Sequence, residues 1–364
     1  RVSKSELLMR WDIFCQIVDN YGDAGVCWRL ARSLLSIHGQ EVRIFCDDLP
    51  TLNLLASGVD PIIQQKIDLQ PWESSYANAR HPVQIPDVVI EAFGCDLPER
   101  YLAGLFIAPV KPIMINLEYL SAEPWVIEFH GKASPQSHGI PKYFFFPGFQ
   151  DEVGGLLLDP IPAEGQLVEK QIPPDLKATW PNLRPSAKRI SIFCYPGAPL
   201  KKWLNDLGSL GQEIDVLLAY GHAEQLNLYG EQPISLPKNI QLLSMPFVSQ
   251  DEYDWVLSQC DFNIVRGEDS FVRAQLAGKP FIWHIYPQED RAHEVKLAAF
   301  LDLYLEDASQ ELRLTTIAAM TWAMPSEWIS NLGVWDKHAK HWRTHLLENQ
   351  ADGGLPARLI RFVA

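Results

Sequence analysis

The chain has 364 residues, more than one hydrophobic core ordinarily serves, so two domains of common size are expected. Its 47% hydrophobic and 21% charged residues exclude a disordered polymer, and no run approaches the roughly 18 apolar residues of a membrane helix. A net charge of −14 speaks against a nucleic-acid-binding surface, which needs a basic field.

Taken in chain order, short apolar runs lie at Asp12–Val18, Val42–Cys46, Val88–Phe93, Ile113–Leu117 and Tyr143–Phe146. Near-continuous apolar runs of this length read as parallel strands buried on both faces. After the first run, Val26, Leu30, Ala31, Leu34 and Leu35 fall on one helical face, so a strand–loop–helix unit is expected there. Prolines at 160, 162, 173, 174, 181 and 185 then interrupt the pattern, and proline denies helix and central strand an amide. A second alternation follows, with strands expected at Ile190–Tyr195, Ile214–Ala219, Ile240–Leu243, Phe262–Val265 and Phe281–Ile285. Helical patterns intervene at Asp251–Gln259, Phe271–Ala277 and Glu289–Leu301, and a Trp-rich helical stretch runs from about Ala318 to Leu347.

This alternation predicts an α/β protein of two Rossmann-like, doubly wound domains facing a cleft. The expected division is 1–165, a Pro-rich linker at 166–186, a second domain at 187–330, and a helical segment at 331–364 that is a candidate to pack back on the first domain. A two-domain B-type glycosyltransferase, a periplasmic-type binding protein and a dehydrogenase all fit such a pattern, so the motifs must decide.

The first constellation is Asp19-Asn20-Tyr21-Gly22-Asp23-Ala24-Gly25-Val26, between the first strand and the first helix. It is not a G-x-G-x-x-G fingerprint, and two carboxylates would repel a pyrophosphate. Asp23 and Asp19 at a strand end suit a general base or a clamp on a cationic acceptor. A helix cap by Asp23 and an Asx-turn at Asp19 explain the same residues equally well.

The second is Arg266-Gly267-Glu268-Asp269-Ser270, continuing to Gln275. Asp269 or Ser270 is expected to cap the next helix, whose amides offer an anion site, with Arg266 or Arg273 as a bidentate counter-charge. Glu268 could accept from sugar or ribose hydroxyls; a capped helix with a surface Arg–Glu pair is the plainer alternative. The third group is Phe193, Tyr195, Phe247 and Gln250, an aromatic face and an amide suited to a pyrimidine base, with Tyr286 after the last strand. Single aromatics of this kind are more often core.

His338, His341 and His345 lack a metal motif and read as a solvated helical face, and no metal site is expected. The six cysteines include no C-x-x-C pair and are expected to be buried and reduced. With no signal-like apolar stretch in the first ten residues, this points to a cytoplasmic protein.

Trp11-Asp12-Ile13-Phe14-Cys15, Val18-Asp19-Asn20-Tyr21-Gly22-Asp23 and Cys27-Trp28-Arg29-Leu30-Ala31-Arg32 resemble the start of the bacterial protein-arginine rhamnosyltransferases that mature elongation factor P. So do Glu91–Cys95, Asn116–Glu123, Tyr143–Phe149 and the Arg266–Gln275 block, which makes the resemblance nearly end to end. It implies an inverting, metal-independent glycosyltransferase of the B type, without cofactor, that moves rhamnose from dTDP-β-L-rhamnose to an arginine of elongation factor P. It also implies Asp23 as general base and Asp19 as a further required carboxylate. Arg266, Glu268, Asp269 and Ser270 would contact diphosphate and sugar, while Phe193, Tyr195, Phe247 and Gln250 would line the nucleotide pocket. Lys132-Ala133-Ser134 departs from the family pattern, on the acceptor side. Transfer to a small-molecule or lipid acceptor, and non-catalytic nucleotide-sugar binding, are the alternatives.

Overall fold

The apolar runs pair in parallel, in two separate sheets, in the computed structural model of the protein. The structure describes residues 8–18, 21–57, 61–73, 85–137, 139–159, 178–180, 182–219, 221–222, 235–322 and 331–364. Asp19, and most of the expected linker at 166–186, lie outside the described residues.

The first sheet contains β1 (Arg10–Cys15), β2 (Glu41–Cys46), β3 (Asp68–Pro71), β4 (Val88–Ala92), β5 (Ile113–Leu117), β6 (Ala133–Ser134) and β7 (Lys142–Phe145). Their order is β3-β2-β1-β4-β5-β7-β6, parallel except for the edge pair β6–β7. The second sheet contains β8 (Lys188–Ile192), β9 (Ile214–Ala219), β10 (Ile240–Met245), β11 (Phe262–Arg266) and β12 (Phe281–His284), ordered β10-β9-β8-β11-β12. Both run outward from a central first strand in opposite directions, which is the Rossmann order. Every residue of β4 and β9 is buried, as near-continuous apolar runs require when both faces are covered.

Charges inside these sheets are paired. Asp12 on β1 accepts two bonds of 2.7 Å from the Arg43 guanidinium on β2 and one of 2.6 Å from the Tyr101 hydroxyl. Asp215 on β9 receives Arg184 at 2.7 Å, and Glu91 on β4 receives Lys142 at 2.9 Å. An unpaired charge at such positions would cost several kcal/mol, roughly 3–5 when one partner is removed.

Some boundaries differ from the sequence expectation. β1 ends at Cys15, because Ile17 N turns to Asp47 Oδ1 at 2.9 Å and Val18, 72% exposed, leaves the sheet. The short edge strands β3 and β6 carry little apolar pattern and were not expected. The C-terminal stretch holds two helices, Gln310–Met320 and Leu332–Asn349, and a third at Gly354–Val363.

The chain divides into two compact units, residues 1–159 with 347–364, and residues 160–346. The helix Leu332–Asn349 therefore belongs to the second unit through Leu346 and to the first from Leu347. In the first unit, Arg358 of the last helix donates to the carbonyls of Gln150 and Val153, at 3.0 and 2.7 Å. In the second, Arg343 and Trp342 bond Leu276 O and Gln275 Oε1 at 2.7 and 2.8 Å. Among the described residues no helix is long and apolar enough to cross a membrane.

Candidate functional site

In a doubly wound sheet, ligands bind beyond the carboxyl ends of the strands where the order reverses. In the first unit that place is between β1 and β4, and it holds Asp23. The helix Tyr21–Ser36 begins there, driven by its buried face of Val26, Leu30 and Leu34, with Asp23 in its first turn. The Asp23 carboxylate is 3% exposed. Its Oδ2 accepts from Val18 N at 2.9 Å and its Oδ1 from the Tyr119 hydroxyl at 3.4 Å. A buried carboxylate held from outside its own helix differs from the simple cap that the sequence left open.

In the second unit the reversal lies between β8 and β11. Phe193 and Tyr195 follow β8, and Arg266 ends β11. The Arg266 guanidinium lies 4.4 Å from the Phe193 ring and 4.8 Å from the Tyr195 ring, and its Nη1 donates to Cys194 O at 3.3 Å. Among the described residues it makes no ion pair. Tyr286, 50% exposed, meets the Tyr195 ring edge-on at 5.2 Å.

After Arg266 the chain turns at Gly267, with φ 69° and ψ −174°, a conformation that side chains disfavour. Glu268 then opens the next helix, Glu268–Leu276. The cap is thus Gly267, not Asp269 or Ser270, and the cap residue makes no side-chain bond to the first turn. Glycine has no side chain to offer these amides, and a helix N-terminus of this kind favours an anion. The Trp283 indole donates to Gly267 O at 3.1 Å and its ring stacks on Phe271 at 3.8 Å, bracing the turn.

The acidic side chains of that first turn are engaged elsewhere. Glu268 pairs with Lys296 at 3.0 Å, and Asp269 accepts from Gln250 Nε2 at 3.2 Å. Gln250 is placed by a capping box in which Ser249 and Glu252 exchange bonds, as the Ser-x-x-Glu spacing dictates. Phe247 is half-buried in the preceding loop. Arg273, the other candidate counter-charge, is buried against Asp254 at 2.9 and 3.0 Å, facing the core. Burying a guanidinium demands a carboxylate, and Asp254 at i−19 has no sequence signature as its partner.

Two histidines were missed by the sequence reading. His222 Nε2 accepts from Cys194 N at 2.9 Å, and His284 Nδ1 accepts from Tyr195 N at 3.0 Å. Burial, with the Arg266 charge nearby, pushes them down to about 4 and about 3. Neutral rings acting as acceptors hold the strand end that carries both aromatics without competing for an anion. The position of His284 at the end of an apolar strand was the one available clue. His338 also differs from expectation: it is half-buried and bonds Tyr304 O at 2.7 Å, while His341 and His345 are exposed.

These shifts set a pH response. Burial lowers His130 as well, to about 4. As pH falls below about 6.5, the unfolded chain takes up protons that the folded rings refuse, so folded stability drops from there toward about 4. The melting temperature should decline between pH 6.5 and 5, above the main carboxylate range, and His222→Gln with His284→Gln should flatten that slope. An unchanged slope in the double variant would contradict the assignment.

Among the described residues no group of three or more His, Cys, Asp or Glu could hold a metal ion. All six cysteines are buried and free.

Residues 11–364 match the family described as elongation-factor P (EF-P) rhamnosyltransferase EarP. The chain is 40% identical to a protein-arginine rhamnosyltransferase of Pseudomonas putida, with 97% of this chain and 98% of that one covered. It is 36% identical to the Shewanella oneidensis enzyme of the same name, covering 100% and 99%. A solved structure described as the structural basis for EarP-mediated arginine glycosylation of translation elongation factor EF-P shares 28% identity, with a TM-score of 0.60 and 97% and 98% coverage. The spinosyn rhamnosyltransferase SpnG complexed with thymidine diphosphate, 15% identical with a TM-score of 0.51 and 97% and 99% coverage, shares the fold. The two-domain B-type glycosyltransferase fold expected from the sequence is therefore the one found. With matched relatives running its whole length and a family model starting at β1, the chain belongs to the EarP family of protein-arginine rhamnosyltransferases.

Proposed function

We propose that this protein transfers L-rhamnose from dTDP-β-L-rhamnose to an arginine of translation elongation factor P, inverting the anomeric centre. The observation that carries this reading is the unlike chemistry at the two sheet reversals. One presents a buried carboxylate suited to a guanidinium, the other an arginine beside a glycine-capped helix N-terminus suited to a diphosphate.

On this reading Phe193, Tyr195, Phe247 and Gln250 receive the thymine nucleotide, with Tyr286 at its edge. Arg266 and the amides of Glu268, Asp269 and Ser270 receive the diphosphate, and the Glu268 and Asp269 carboxylates accept from sugar hydroxyls. The charge growing on the leaving diphosphate meets fixed donors, with no metal or other cofactor required.

A guanidinium has a pKa above about 12, so no carboxylate strips it beforehand. Asp23 instead orients the group, localises its charge and takes the proton as nitrogen bonds the anomeric carbon and the bond to the diphosphate oxygen breaks. Asp19 holds the same guanidinium from a second side. Buried thiols and the lack, among the described residues, of a membrane-spanning helix support a cytoplasmic site of action, with neither nucleic acid nor membrane as partner.

The test is the intact mass of elongation factor P after incubation with this protein and dTDP-rhamnose. A deoxyhexose increment localised to one arginine is expected. An unmodified acceptor, with the donor hydrolysed or untouched, would refute the proposal.

A further inference from the structure

Asp23 is joined to a feature that the reaction scheme above does not use. Phe93, one residue beyond β4, and Tyr119, two beyond β5, stack face to face at 4.4 Å with planes 16° apart. The Tyr119 ring is 38% exposed, yet its hydroxyl reaches the buried Asp23 Oδ1. Phe93 adopts φ 59°, a left-handed conformation that a bulky residue avoids unless its surroundings impose it. Those surroundings are visible. Phe93 N donates to Leu117 O at 2.7 Å, and Gly94 N donates to Asn116 Oδ1 at 3.2 Å. Asn116 Nδ2 in turn donates to Glu118 Oε1 at 2.6 Å, so one amide ties the turn after β4 to the segment after β5. The two rings are thereby held parallel at the sheet reversal, beside the carboxylate.

A strained, clamped and partly exposed aromatic stack touching a buried carboxylate is poorly explained as packing. A planar cation is its natural third layer, because a guanidinium stacks on a ring face while its edge donates to a carboxylate. We propose that the Phe93–Tyr119 stack is the acceptor platform, with the Tyr119 ring receiving the substrate guanidinium and its hydroxyl positioning Asp23. This rests on the reading of function given above. The 3.4 Å hydroxyl contact is long, as such bonds often are before substrate arrives. Tyr119 is in this view a recognition and positioning residue, and it couples the arrival of a flat cation to the orientation of the base. A flexible ammonium, lacking the planar face, would gain less from the same ring.

The test separates ring from hydroxyl. With elongation factor P as acceptor, Tyr119→Phe is expected to lower kcat roughly tenfold, a fraction of a full general-base contribution, with acceptor KM little changed. The acid limb of its kcat/KM profile should move to higher pH, because the Asp23 anion loses a donor. Tyr119→Leu should in addition raise acceptor KM roughly 3- to 30-fold, the range of a cation–π contact. Titration with dTDP should give wild-type affinity in both variants, and thermal melting followed by circular dichroism should show that both fold as the wild type does. Wild-type kinetics in Tyr119→Phe, or no further change in Tyr119→Leu, would overturn the proposal. If the wild-type protein leaves elongation factor P unmodified, the reading of function fails separately. The platform is then judged by NMR titration with N-acetyl-arginine amide, which should shift the Tyr119 ring signals in the wild type and leave Tyr119→Leu unbound. Equal binding by both would sink it.

Discussion

Asp23→Asn is expected to lower kcat by roughly 10²- to 10⁴-fold, the range of a general base, while dTDP binds with wild-type affinity. The substitution is nearly isosteric, and the amide oxygen can still accept from Val18 N, which bonds the carboxylate at 2.9 Å. On the proposed mechanism, what disappears is the negative charge that would face the guanidinium and the basicity that would accept its proton. The loss should therefore fall on turnover, with a smaller rise in acceptor KM. Asp23 belongs to the first unit and the helix terminus proposed to bind the diphosphate to the second, so donor affinity is an independent readout. Undiminished turnover in Asp23→Asn would remove Asp23 from the chemistry.

Arg266→Ala is expected to weaken dTDP binding by roughly 30-fold or more, the scale of losing a desolvated charge partner, and to raise donor KM in parallel. Arg266 has two tasks that no single substitute performs. On the proposed reading it offers a charged fork to a diphosphate, and its flat face lies over the Phe193 and Tyr195 rings at 4.4 and 4.8 Å. Arg266→Lys should restore part of the affinity through charge alone. The other candidate cations are committed: Arg273 to Asp254 and Lys296 to Glu268, so neither can take over readily. Calorimetric titration checks the ranking wild type, Lys, Ala. Equal affinity in all three would show that the diphosphate binds elsewhere.

Much of the framework was legible because buried parallel strands announce themselves locally. Ile113–Leu117 and Ile214–Ala219 were read with their observed bounds, since each is a mostly apolar run broken by one polar residue, Asn116 or Asp215. The helix expected at Asp251–Gln259 is found at Gln250–Gln259, its start fixed by the capping box of Ser249 and Glu252. The cap of the helix at Glu268 was misplaced by two or three residues. Asp and Ser are good caps on average, but Gly267 alone tolerates φ 69° at that turn.

The proposed assignment of the two motifs to two unlike ligands also rests on sequence. A loop with two carboxylates repels phosphate, and an arginine before a helix start attracts it, wherever the fold places them. Together with the family resemblance, this determined the fold class, the residues around Arg266 and the candidacy of Asp23. Tertiary structure decided which candidates are committed and which are poised. It put Arg273 against Asp254, neutralised His222 and His284 by burial, and brought Tyr119 to Asp23 across 96 residues. The division has a physical reason. Backbone conformation and apolar period depend on neighbours in the chain, whereas ion pairing, desolvation and ring stacking depend on neighbours in space, which no spacing in the sequence records.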